Sequence, residues 1–477
     1  MKRIFALMLS LVMICSVSSV PICSEAINVN KVYSVSVVGR SKNSVTLKWK
    51  EVKNAEGYQI YCSTRKTKSF KKAKTINKGS TVKAKVSKLA ANKSYYFKVR
   101  AVNGKTKGEF SKVVWSKTRR KNSNIDNINT VTFVAVGDNL IHKELIQSGE
   151  KSDGTRDYHH FYEKTKAYIQ EADIASINQE TILGGDIAPY TGFPVFNSPQ
   201  EIGDAVADTG FDVVTLATNH CFDVGLKGID AELNYFKTKH PKIKAIGLFK
   251  TKKESRRIVY IKKNNIKIAL LNYTYRPEVS NGISIPKERP WVITHLNQRD
   301  KIRRDVKEAK KNADIVIAYP HWGKEYNMTV TSYMKKCTKM FSDFGVDIVI
   351  GTHPHVIAPV KWVKNSKTGK KMLVYYSLGN YVSFQDTSTP KMLEGMAQFT
   401  LKKKNGKVTI VNPKLMPMIN YITRKKSNPH RFNIYAVPLK DYNNEMAKKH
   451  LQPELAQKKK LVKLYKKTVD KKFRTEY

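Results

Sequence analysis

The sequence predicts a multidomain chain in which an all-β sandwich precedes a layered α/β domain. Three observations carry that expectation. Apolar and polar residues alternate with period two between residues 27 and 118. Beyond residue 131, short continuous apolar runs alternate with helix-like stretches, and a polar linker over 119–130 separates the two patterns. Of the 477 residues, 41% are hydrophobic and 10% aromatic, enough for packed cores, so wholesale disorder is excluded.

The first element is Met1-Lys2-Arg3, an apolar run over 4–15 and a small, polar stretch closing on Ser24-Glu25-Ala26. A basic head, a hydrophobic middle and small residues before the cut predict a secretory signal peptide over 1–26. No later stretch reaches the roughly 20 apolar residues of a membrane helix, so no integral membrane segment is expected after signal removal. Cys62, Cys221 and Cys337 then remain, an odd number without a CxxC pair, which argues against a disulfide framework. Lys and Arg number 87 against 39 Asp and Glu, a formal charge of +48. Export and a dispersed positive charge point to an anionic cell-envelope polymer, such as teichoic acid or a capsule polymer, and away from nucleic acid. The expected location is extracellular and wall-associated.

Within 27–118, the alternating segments 44–49, 58–61 and 95–101 read as half-buried strands, with Tyr95, Phe97, Val99 and Ala101 facing inward. Trp49, then Ala55, Gly57 and Tyr58, then Leu89 six residues before Tyr95, resemble a fibronectin type III domain with its tyrosine corner. The resemblance implies a spacer or attachment module. The segment has no acid pair or His cluster.

Beyond the linker the apolar runs are 131–136, 173–177, 211–217, 243–248, 266–273, 314–319, 346–350 and 372–376. Helix-like stretches at 199–209, 225–237, 298–311 and 331–344 lie between them, the pattern of a sheet covered by helices. Asn264-Asn265 and Asn405-Gly406 predict hairpin turns. The segment 426–477 reads as a basic, helical C-terminal extension, with Leu451, Leu455, Leu461, Leu464 and Tyr465 near helical spacing. Such a face more often packs on its own domain than on a membrane or polymer.

Functional groups of layered α/β sheets gather at the carboxyl ends of strands. Here those ends carry Asp138, Asn178-Gln179-Glu180, Asn219-His220, His321-Trp322, His353-Pro354-His355 and Gly379-Asn380. Alone, each has an ordinary structural role: Asp138 as a helix cap, His220 as an interior His. Together, imidazoles and carboxylates suit borderline divalent metals, and unliganded they would leave buried polar groups unpaired at about 1–3 kcal/mol each.

The series Gly137-Asp138, Asn178-Gln179-Glu180, Thr218-Asn219-His220, His321-Trp322-Gly323, Gly351-Thr352-His353-Pro354-His355 and Ser377-Leu378-Gly379-Asn380 resembles the motifs of the CapA family, over about 131–425. That family is associated with poly-γ-glutamate capsule biosynthesis and is related in fold to calcineurin-like metallophosphoesterases. The resemblance implies an α/β/β/α fold and two divalent ions, Mn, Fe or Zn. It places Glu180 between them, Asp138 and His355 on one, and Asn219, His321 and His353 on the other. His220 would stand outside as the catalytic acid or charge stabiliser. Asn178, Trp322 and Asn380 are expected to contact substrate, Trp322 as a cleft wall and Asn380 as an amide donor to an anion, with core packing and a plain strand-end turn as the alternatives. One departure is that the phosphoesterase pattern has His two residues after the Asp, where this chain has Leu140, with His142 further on.

Cys221, His159, His160 and Ser377 are not promoted to catalysis. Adjacent residues of an extended segment point apart, the His pair precedes a helix-like stretch, and Ser377 lacks a nucleophile elbow. Phe193 reads more as core than as cleft wall. Two functions are therefore expected to compete: an exported metal-dependent hydrolase linked to poly-γ-glutamate or another capsule polymer, and a non-catalytic surface module binding an anionic envelope polymer.

Overall fold

A computed structural model describes residues 29–118, 129–275, 285–425 and 428–477. They divide into two units between Lys121 and Asn122. The expected signal peptide and most of the linker lie outside the described residues.

In the first unit, period-two alternation builds a fibronectin type III sandwich. Strands β1 (Ser36–Arg40), β2 (Val45–Lys48) and β5 (Lys83–Val86) form one antiparallel sheet. The other sheet joins β3 (Gly57–Ser63), β4 (Lys71–Ile76), β6 (Ser94–Asn103), β7 (Thr106–Lys107) and β8 (Val114–Lys117). Every second residue of β6 from Tyr95 to Ala101 is buried, as the pleat requires. Trp49 packs 5.2 Å from Tyr58, and the Tyr95 hydroxyl accepts the Ala90 N–H at 2.8 Å, closing the tyrosine corner.

The second unit stacks two sheets. In the first, β9 (Thr130–Asn139), β10 (Ile174–Gln179), β11 (Val213–Thr215) and β12 (Lys244–Ile246) run parallel. The second contains β13 (Val259–Lys263), β14 (Ile266–Thr274), β15 (Ile315–His321), β16 (Ile348–Ile350), β17 (Val360–Lys364) and β18 (Lys371–Tyr375). Its order is β13-β14-β15-β16-β18-β17, with the four central strands parallel. Strands β19 (Asn380–Val382), β20 (Leu393–Lys404), β21 (Lys407–Lys425) and β22 (Asn428–Pro438) return to the first sheet. Phe133 and Phe399 stack at 4.9 Å within the apolar layer that also holds Ile268, Ile317 and Leu373 of the facing sheet.

Helices cover both outer faces, giving α/β/β/α. Helices α1 (Lys143–Gly149), α2 (Lys166–Glu171), α3 (Glu201–Thr209) and α4 (Gly225–Lys239) bury Leu145, Ile169, Ile202 and Ile229 on the first sheet. Helices α5 (Arg299–Asn312) and α6 (Ser332–Phe344) bury Ile302, Val306, Met334 and Phe341 on the second. The Thr331 hydroxyl caps α6 by accepting the Met334 N–H. A single turn, α7 (Thr389–Met392), leads into β20. Both expected hairpins form, and Asn405-Gly406 has φ of 49° and 75°, the mirror-image turn that matches strand twist.

The C-terminal segment differs from expectation. It opens on β22, because Ile434 and Ala436 alternate inward and complete the sheet beside β21. Its helices α8 (Asn444–Lys449) and α9 (Lys458–Thr468) follow the packing reading. Leu461 and Tyr465 are fully buried, and Tyr465 donates to Leu415 O at 2.6 Å. The apolar stripe of α9 is thus already covered by the domain. Among the described residues no helix is long and apolar enough to cross a membrane.

Candidate metal centre

Parallel strands aim their carboxyl ends the same way, so residues far apart in sequence meet at one rim of the paired sheets. Asp138 lies at the end of β9, Glu180 follows β10, Asn219 and His220 follow β11, His321 ends β15, and His353 and His355 follow β16. Close approach at this rim needs a bare backbone at Gly137, where a Cβ would lie 1.8 Å from Gly379 O. His353 and His355 have φ of 95° and 58°, left-handed conformations that bring both rings into one pocket and that non-glycine residues rarely adopt.

Glu180 is the centre of the cluster. It is 1% exposed, and neither carboxylate oxygen has a hydrogen-bond partner among the described residues. Burial, and then the charge of Asp138, push its carboxyl well above the usual range. Its Oε1 lies 3.5 Å from His321 Nε2 and 3.6 Å from His355 Nε2. Two groups of ligand atoms, each within a 4.8 Å spread, share it: Glu180 with His353 and His355, and Asp138 with Glu180 and His321.

Supporting hydrogen bonds fix the rings. His355 Nδ1 donates to Asp138 Oδ2 and to Asn380 Oδ1, both at 3.1 Å, which turns Nε2 towards Glu180. Burial opposes charge on His355, but Glu180 and Asp138 outweigh it and raise its pKa to about 9. His321 Nδ1 faces the Thr352 hydroxyl at 3.0 Å, and its Nε2 donates to Asn219 Oδ1 at 2.8 Å. Burial pulls the His321 pKa down to about 3. A neutral imidazole and a carboxamide oxygen sharing one proton are a pair from which a cation can displace that proton. The donor set, two carboxylates, three imidazoles and an amide, fits a divalent transition ion.

His220 stands beside this cluster. Its Nδ1 donates to Asp223 Oδ2 at 2.8 Å, and Phe196 packs edge-on at 4.6 Å. Asp223 was not singled out from sequence, although its place three residues after His220 was a usable signal. Thr352 was likewise missed inside its own motif.

Asn178, Trp322 and Asn380, expected to face substrate, are all buried. Trp322 is fully buried, its indole N–H bound to Tyr376 O at 2.9 Å. Asn178 donates to Asp138 Oδ1 at 2.8 Å and accepts from the Thr215 hydroxyl, and Asn380 is buried against His355. In the two groups of ligand atoms His353 falls with His355, and His321 with Asp138. Phe193, read as core, is 77% exposed, because the chain at Phe193-Pro194 runs over the surface with the ring beside Phe196. Tyr326, 45% exposed, lies 6.0 Å from the His355 ring, with Lys391 Nζ 3.7 Å above it.

The residues set aside stay outside the cluster. His159 bridges Asp157 and Asp208 at 2.7 and 3.0 Å, His160 meets the Ser148 hydroxyl, Cys221 Sγ donates to Thr218 O and the Ser377 hydroxyl to Val356 O. Leu140 is buried, and His142, drawn down by burial to a pKa of about 4, accepts the Phe384 N–H at Nδ1.

Fold and site together define a layered α/β protein whose buried acid–imidazole cluster can hold a metal ion. The chain belongs to the family described as bacterial capsule synthesis protein PGA_cap, which it matches over residues 132–385, and residues 30–117 match the fibronectin type III domain. It is 32% identical over 197 residues to the PGA biosynthesis protein CapA of Bacillus subtilis (strain 168), covering 41% of this chain and 48% of that protein. It is 29% identical over 291 residues to the capsule biosynthesis protein CapA of Bacillus anthracis, covering 59% and 67%. The chain thus spans about half of the first relative and two thirds of the second. A crystal structure of chicken CNTN1 FN1-FN3 domains aligns at 26% identity and TM-score 0.18, covering 19% of this chain and 32% of that one.

Proposed function

We propose that the chain is an exported, metal-dependent hydrolase acting on an anionic cell-envelope polymer in the synthesis, export or processing of a capsule. The observation that carries this reading is Glu180, one buried carboxylate common to two potential ligand groups and without a hydrogen-bond partner among the described residues. Family membership, and likeness to two proteins named for PGA and capsule biosynthesis, support poly-γ-glutamate, teichoic acid or a similar polymer as the substrate class.

On this reading Glu180, His353 and His355 would hold one divalent ion (Mn, Fe or Zn), and Asp138, Glu180, His321 and Asn219 would hold a second. Bound ions supply Lewis acidity and bring the pKa of water towards neutrality. The chain's own groups do the rest. Asn178 and Asn380 hold Asp138 and His355 in place. Asp223 keeps the proton on His220 Nδ1, so Nε2 is the atom that passes a proton to the leaving group. Lys391, above Tyr326, offers the polymer a cation. The basic head and apolar run of residues 1–26 direct export, and the large positive charge of the exported chain holds it to the wall.

Leu140 favours a second reading, a binding module without turnover, because an apolar side chain stands where the phosphoesterase pattern has an imidazole. Elemental analysis and turnover on phosphoester and γ-glutamyl substrates separate the two. The hydrolase binds two equivalents of metal; His220→Ala keeps both and loses about 100-fold or more in turnover, while His353→Ala loses metal and turnover together. A single inert ion, or undiminished turnover in His220→Ala, refutes the hydrolase.

A further inference from the structure

We propose that a groove along α5 is a second binding site, independent of the metal cluster, for an acidic, peptide-like chain. It is a cavity of about 1010 Å³ between α5 and the turn Glu254–Arg256, walled on one side by Pro290 and Trp291. None of its lining residues belongs to the metal cluster.

Charge is the first argument. Seven of the fifteen lining residues are Lys or Arg and two are acidic. Both acids are already engaged: Asp305 pairs with Lys301 at 2.8 Å, and Glu308 accepts from Asn312. Lys310 pairs with Asp347. Lys252, Arg256, Arg304, Lys307 and Lys311 have no ion pair among the described residues, so the groove concentrates uncompensated positive charge that an anionic ligand would neutralise. The arrangement follows from the helix: Ile302, Val306 and Ala309 face the core, which turns Lys301, Arg304, Lys307 and Lys311 to the opposite stripe.

The second argument is the floor. A solvated basic helix face needs no apolar wall, yet Ile258, Ile293 and Trp291 line this one. The Trp291 Nε1–H is screened from solvent and has no acceptor among the described residues. An apolar floor, one waiting donor and a row of cations match methylenes, an amide carbonyl and spaced carboxylates. Lys301 to Lys311 extends about 15 Å along the helix at ~1.5 Å per residue, the span of about four or five extended residues.

The test titrates the full chain, with and without chelator, with linear oligoglutamate of about five residues, following tryptophan fluorescence and calorimetry. Arg304→Glu with Lys307→Glu, both exposed positions, is expected to weaken binding by about tenfold or more, since like charges then face the ligand. The matched reversal Lys71→Glu with Lys72→Glu in the first unit should change it less than about twofold, as a screened, distributed charge does. Trp291→Phe should weaken binding about threefold. Equal loss in both double variants would reduce the groove to general polycation attraction. Unchanged binding in the groove variant, loss of binding with chelator, or tighter binding of polyphosphate of equal charge would each overturn the proposal. Metal content and turnover in the groove variants read the metal centre separately, so either idea can fail alone.

Discussion

The two units bury different chemistry. The first carries 23 Lys and Arg against 3 Glu over residues 29–118, all at least partly exposed, and its buried polar residues are hydroxyls alone. The second buries Asp138, Glu180, Glu232, Glu394, His321, His353 and His355. Glu394, fully buried with neither oxygen hydrogen-bonded among the described residues, is in neither group of potential ligand atoms, and desolvation pushes its carboxyl well above the usual range. What separates Glu180 is its company of imidazoles. The difference teaches that a sandwich made for surface charge and a sheet pair made for a site can be read apart by what they leave unpaired inside.

The largest expected effect tests that contrast at Glu180. Glu180→Gln should lose both ions by elemental analysis, whereas Asp138→Asn loses one. In the chelated chain the Glu180 substitution should favour the second unit more at pH 8 than at pH 5, by removing a buried carboxylate without a hydrogen-bond partner among the described residues, a gain reduced by the charge support that His355 loses. The sign follows from linkage. The folded state raises the Glu180 pKa above its usual 4.5, so the folded chain binds the proton more tightly and loses stability as pH rises from about 4.5. Urea midpoints of the chelated wild type and variant should therefore converge at acid pH and separate at alkaline pH; parallel curves would break the comparison.

A smaller effect sharpens it from the other side. Tyr95→Phe removes the acceptor of the Ala90 N–H and should cost the first unit about 1 kcal/mol in its denaturation midpoint, with metal content unchanged. A change in bound metal would show that the two units do not separate as described.

The smallest concerns His159, whose pKa is raised to about 9 by its hydrogen bonds to Asp157 and Asp208. That pKa is higher folded than unfolded, so its contribution is complete below about 6.5 and fades as pH rises through about 9. The site is half-exposed and screened, so His159→Gln should cost under about 1 kcal/mol near pH 6 and nothing near pH 10. A loss that persists at pH 10 would assign the residue a packing role instead.

The sequence by itself determined the element types and the candidates for the metal cluster. Period-two alternation from Tyr95 to Ala101 can bury only one face of a strand, and apolar runs such as 314–319 must be covered on both faces, so sandwich and layered sheet were legible locally. Asp138, Glu180, Asn219 and the three cluster histidines were legible because each ends or follows such a run. Tertiary structure alone decided which of them meet. The approach of Glu180 to His321 and His355 and the burial of Trp322 against Tyr376 depend on partners remote in sequence. Strand pattern fixes which face a side chain takes, whereas its distance to another strand's residue is set by register, twist and the left-handed turns at His353 and His355.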